Sequence, residues 1–174
     1  MIGPVFFFAA MAVGAIFFVV FANLCTAEAT RVKLQALGVS KDEAKRIIQS
    51  AADAVEGTDF SRGDSATVAL DIVASGLNPR RALESALKSV VDSAAVSGVN
   101  LRDMGAIYMK VFAIGHLTEE VLCQITLTGI PIQQALAETL HVTGDEALDM
   151  VSKGRVSFAQ FQAAMDSVKG GEPS

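Results

Sequence analysis

The sequence predicts an all-α protein: an N-terminal hydrophobic helix of transmembrane type, followed by an array of short, individually capped helices. Three observations predict it. Residues 1–27 carry no charged side chain and hold six phenylalanines, at positions 6, 7, 8, 17, 18 and 21. Downstream, one punctuation recurs: a glycine able to end a helix in the left-handed conformation, a nearby apolar residue, then a capping residue that opens the next helix. Nowhere is there the sustained period-two alternation of a half-buried strand, and glycine and proline fall where helices should stop.

The apolar run comes first. A helix needs roughly 20 apolar residues to cross a hydrocarbon core ~30 Å thick. The run predicts such a span over Val5 to Leu24, with Val5, Phe6, Phe7, Phe8, Ile16, Phe17, Phe18, Phe21 and Leu24 as membrane-spanning residues. A signal peptide is the rival reading, but no basic leader precedes the run and it is long for an h-region. A helix buried against a partner assembly is the other rival. Lys and Arg appear only after the run, first at Arg31, Lys33, Lys41, Lys45 and Arg46, so the positive-inside rule would leave the C-terminal part in the cytoplasm if the run is inserted by the usual route.

The remainder divides into linking helices over 28–60, a helical domain over 61–168 and a flexible tail over 169–174. Glu28 to Leu37 continues helically. Ser40 caps a helix to Val55, whose Ala44, Ile47, Ile48, Ala51 and Val55 recur at helical spacing and mark one buried face. Ser61 with Asp64 opens the next helix, carrying Val68, Leu70, Ile72 and Val73 to a stop at Gly76. Asn78 and Pro79 form a start signal, a capping amide followed by a proline whose missing N–H is not needed in the first turn. That helix runs to about Val96 with Leu83, Leu87, Val90 and Val91 inward. Asn100 caps the next, whose Met104, Ile107, Tyr108, Val111 and Phe112 share a side.

From Gly115 the signals tighten. Gly115, Leu117 and Thr118 repeat as Gly154, Val156 and Ser157, and Val142-Thr143 follows His141 with no glycine. Gly129 and Pro131 mark a turn between two of these helices. If Ser40, Asn100, Thr118, Thr143 and Ser157 are N-caps, hydrophobic staples pair Val39 with Ala44, Val99 with Met104, Leu117 with Leu122, Val142 with Ala147 and Val156 with Phe161. Glu43, Glu146 and Gln160 complete capping boxes, and Asp103 is a weaker case. Each cap contributes very roughly 0.5–2 kcal/mol.

Composition excludes several functions. Net charge is −5 and the basic residues are scattered, so no nucleic-acid footprint is present. Cys25 and Cys123 form neither a CxxC pair nor a disulfide framework and read as small buried apolar residues. His116 with Glu119 and Glu120 is the one cluster that invites a metal or catalytic role. Acids in a first turn are better explained by the positive end of the helix, and Asp145 and Glu146 repeat the arrangement. Met150, Phe158, Phe161 and Met165 read as a core face. No catalytic, cofactor or metal residue is assigned.

Taken in order, Met104 to Ile107, Gly115 to Gln124, Gly129 to Pro131, Gln134 to Ala137, Val142-Thr143, Glu146, Met150 to Gly154, Val156, Phe158 and Phe161 resemble the N-terminal region of tailed-phage and prophage tape measure proteins. The similarity spans about Ser61 to Met165. The resemblance implies a non-enzymatic, mostly helical tail protein that sits in the tail-tube lumen and helps to set tail length. The partners it implies are tail-tube, tail-tip and assembly-chaperone proteins and further copies of itself. It also implies hydrophobic segments that enter the host inner membrane during genome delivery, a role the run over 5–24 fits. A ruler needs long unbroken helix, whereas these caps interrupt the chain at intervals of about ten to twenty residues. The sequence therefore reads as the globular module and membrane segment without the measuring part, as a fragment or a shortened prophage-type product. The alternative is a single-pass bacterial inner-membrane protein with a cytoplasmic helical interaction domain. Cell-wall hydrolysis, found in some large tape measure proteins, ranks last because no acid pair stands out.

Overall fold

A computed structural model describes residues 27–76 and 83–168, and all of its extended regular structure is helical. The chain is helical from the first described residue, with α1 over residues 27–36. Then follow α2 (Lys41–Ala54), α3 (Arg62–Ala74), α4 (Leu83–Ser97), α5 (Leu101–Ile114), α6 (Glu119–Leu127), α7 (Ile132–Leu140), α8 (Gly144–Ser152) and α9 (Phe158–Ser167). Among these no helix is long and apolar enough to cross a membrane. The expected span over 5–24, the start signal at Asn78 and Pro79, and the tail over 169–174 lie outside the described residues.

The start signals act as local chemistry requires. Ser40, Ser61, Thr118, Thr143 and Ser157 each accept a hydrogen bond from the backbone N–H three residues on, and Asn100 accepts from Arg102. Full reciprocal boxes form at Thr143 with Glu146 and at Ser157 with Gln160. Pro131 precedes α7 without a side-chain cap; at φ −77° and ψ 55°, with Ile132 N–H donating to the Ile130 carbonyl at 2.8 Å, it makes an inverse γ-turn instead.

The stop signals are Schellman and αL motifs. After α1, Gly38 N–H bonds the Gln35 carbonyl and Val39 N–H the Leu34 carbonyl; after α8, Gly154 and Arg155 do the same to Val151 and Met150. After α7 the left-handed place is taken by His141, at φ 56°, with Val142 N–H donating to Ala137. The missing glycine in that repeat is thus a histidine in glycine's conformation.

Packing forms two groups. α2 lies on α3 and α4, α3 on α4 and α5, and α4 on α5; α7 is the hub of the other group, touching α6, α8 and α9. Contacts of α4 with α9 and of α5 with α6 join the groups around one core. α2, read from sequence within a linking stretch, is packed into the first group, where buried Ser65 donates to the Ala51 carbonyl at 2.6 Å. The predicted inward faces of α2, α4 and α5 are buried at Ala44, Ile47, Ala51, Leu87, Val90, Met104, Tyr108 and Val111. Gly105 allows α5 to approach α3: a Cβ there would lie 3.0 Å from a Val68 methyl.

Candidate functional site

The two matching turn sequences, Gly115 to Thr118 and Gly154 to Ser157, lie against each other. Leu117 N–H donates to the Val156 carbonyl at 2.8 Å, and His116 pairs with Ser157 in an isolated antiparallel bridge. Leu117 and Val156 are both fully buried, so the starts of α6 and α9 are locked together by main-chain bonding over an apolar floor. His116 covers Gly154, where an added Cβ would stand 3.0 Å from its Nε2. Thus Gly115, Thr118, Gly154 and Ser157, singled out separately, form one structural unit. Ser40, Asn100, Gly129, Pro131 and Thr143 serve their own helix ends elsewhere.

Neither histidine forms a hydrogen bond or ion pair with an acidic side chain among the described residues; Glu120 instead pairs with Lys110 Nζ at 2.6 Å, tying α6 to α5. Among the described residues no group of three or more His, Cys, Asp or Glu is placed to hold a metal.

Cys123 corrects an expectation: it is exposed. Val121, Leu122 and Ile125 supply the inward stripe of the nine-residue α6, which turns Cys123 and the 82% exposed Leu127 outward. The aromatic face is better described by the sequence. Phe161 stacks at a tilt on Tyr108 with centroids 4.9 Å apart, and Phe158 meets Phe112 edge-on at 5.2 Å, so both rings of α9 pack on α5.

Sequence reasoning missed a buried polar contact between α4, α5 and α9. The Tyr108 hydroxyl donates to the Ser89 carbonyl at 3.3 Å and lies 2.9 Å from Ser93 Oγ, which is left as donor since the phenol has a single proton. The Ser89 hydroxyl donates to Asp166, and Gln162 Nε2 donates to Ser85 Oγ at 2.9 Å. Burial pushes the Tyr108 phenol far above its ordinary range; the Ser93 hydrogen bond opposes this, and the charge of Asp166 adds to it. The signal was present as serine at 85, 89, 93 and 97, one residue per helical turn on α4. Every buried side-chain polar atom of this set has a partner, and the bonds tie three helices together where they cross.

Three surface grooves stand out among the described residues. One, between α1 and α2, is lined by Arg31, Lys41 and Lys45 with Glu28, Asp42 and Ile48. Another, between α2 and α4, is acidic, with Asp53, Glu56, Glu84 and Asp92 around Lys88. The third is apolar, formed by Ile130, Pro131, Ile132 and Ala137 beside Gly144. No protein-family model, curated protein or solved structure matches the chain.

Proposed function

We propose that this chain is a structural, non-enzymatic component of a phage tail: a tape-measure-type helical module that acts by docking in the tail-tube lumen. Its partners are the tail-tube, tail-tip and assembly-chaperone proteins, and residues 5–24 enter the host inner membrane when the genome is delivered. One observation carries the reading. The block from Gly115 to Val156, whose residue order resembles the tape measure N-terminal region, supplies the residues that end α5, α7 and α8, cap α6 and α8, and tie the start of α6 to that of α9. Turn and cap residues in such an order serve the fold, which suits a protein that works through its surface.

A second reading is a single-pass inner-membrane protein with a cytoplasmic helical interaction domain. The five basic residues that follow the apolar run within Arg31 to Arg46 favour it. The two separate by experiment. Coexpression with tail-tube, tail-tip and chaperone proteins yields a copurifying complex on the first reading. On the second, the chain resides stably in the membrane of uninfected cells and binds none of them.

A further inference from the structure

The stretch 28–46 holds five of the chain's 14 Lys and Arg but only three of its 19 Asp and Glu, in a molecule of net charge −5. The fold gathers part of that excess. Arg31 from α1 and Lys41 and Lys45 from α2 line one groove, and Ala27, three residues beyond the end of the apolar run, forms part of its wall. Lys41, Lys45 and Arg46 are exposed, and among the described residues none of them forms an ion pair. Arg31 pairs with Glu28 through Nη2, while its Nε is buried without a hydrogen-bond partner. Asp42 and Glu43 lie in the first turn of α2, where the helix's positive end offsets them.

We infer that the α1–α2 groove, with Arg46 beside it, docks on the anionic headgroups of the bilayer that takes up the preceding apolar run. The inference rests on the membrane reading of residues 5–24 and adds to it the surface that meets the headgroups. Charge complementarity selects this face over the others. The groove between α2 and α4 presents Asp53, Glu56 and Glu84, which an anionic leaflet repels, and the α6–α8 groove presents no charge. The helical body is therefore held at the membrane in one orientation, with α1 and α2 down and the acidic side outward. Basic residues held within about a Debye length, ~8–10 Å, of such a leaflet strengthen binding by about fivefold each.

Vesicle flotation of the full chain tests this, with phosphatidylcholine alone or mixed with phosphatidylglycerol, at low and high salt. The wild type should float with both and bind the anionic vesicles more than tenfold tighter, an advantage that high salt removes. The triple variant Lys41→Gln, Lys45→Gln, Arg46→Gln should keep its binding to phosphatidylcholine and lose the anionic advantage; its circular dichroism shows that it is folded. Equal wild-type binding to both vesicles overturns the docking face and leaves membrane insertion standing, as does an advantage retained by the folded triple variant. Binding to neither overturns the membrane reading and the docking face with it. The salt and lipid dependence of the wild type decides the matter even if the variant misfolds.

Discussion

His116 lies against Gly154, so close that a single methyl added at Gly154 would stand 3.0 Å from the imidazole Nε2. The glycine is also at φ 63°, which an L-residue adopts only at a cost. Two penalties therefore meet at one position. Gly115 is at φ 89° but has open space around it, so only the first penalty applies there. Gly154→Ala should lower stability by about 2–3 kcal/mol and Gly115→Ala by about 1–2 kcal/mol, read from urea unfolding. Adding His116→Ala to Gly154→Ala should recover part of the loss. Equal losses for the two alanines would show that the contact across the turns is unimportant.

His141 carries strain that glycine would not. At φ 56° and ψ 43° it sits in the left-handed region, which histidine tolerates better than most residues and β-branched residues tolerate poorly. His141→Val should cost about 1–2 kcal/mol. His141→Gly should leave the melting temperature unchanged or raise it, because relief of strain opposes the greater entropy of an unfolded glycine.

Tyr108 gives stability an alkaline limit. Its folded pKa is raised, so the unfolded chain releases this proton first, near pH ~10, while the folded chain retains it. The contribution is fully present below that pH and is lost as pH rises above it, at about 1.4 kcal/mol per pH unit. Tyr108→Phe should remove that slope. At neutral pH it should cost ~1–2 kcal/mol, because Ser93 loses its acceptor in a buried setting.

Glu146 sets an acid limit at α8. The Thr143 backbone N–H and hydroxyl hold its carboxylate below the usual range. With the folded pKa depressed, the contribution is present above the ordinary glutamate pKa and is lost as pH falls through the lowered value. Glu146→Gln should flatten this acid dependence in a pH series of thermal melts. Thr143→Ala removes the cap itself and should cost ~0.5–2 kcal/mol at neutral pH.

Tight packing gives another test. Gly105→Leu would drive a side chain into Val68, and should destabilise the chain by ~1–3 kcal/mol despite leucine's better helix propensity.

What the sequence reveals and what it hides follow from the range of the forces. Caps and stops are settled within a few residues, so Ser40, Thr118, Thr143 and Ser157 are readable in place, as is the left-handed break at Gly129. The histidine at 141 was marked only by a gap in the repeat. The Tyr108 contact and the role of Gly105 depend on which helices cross, and local pattern does not encode that. Cys123 was assigned by residue type, whereas the stripe of a short helix decided its exposure. The turn residues at 115 and 154 are legible one at a time; their pairing, through contacts 39 and 41 positions apart in the chain, is not.

The central claim is that this chain does its work as a docked part of a phage tail. The most direct measurement is to assemble tails from coexpressed tail-tube, tail-tip and chaperone proteins with this chain, purify them, and assay the particles by mass spectrometry and protease protection. The account predicts the chain inside the tube, at a fixed ratio to tube subunits and shielded from protease. Tails that form without it, while the chain stays in the membrane fraction, would contradict the account.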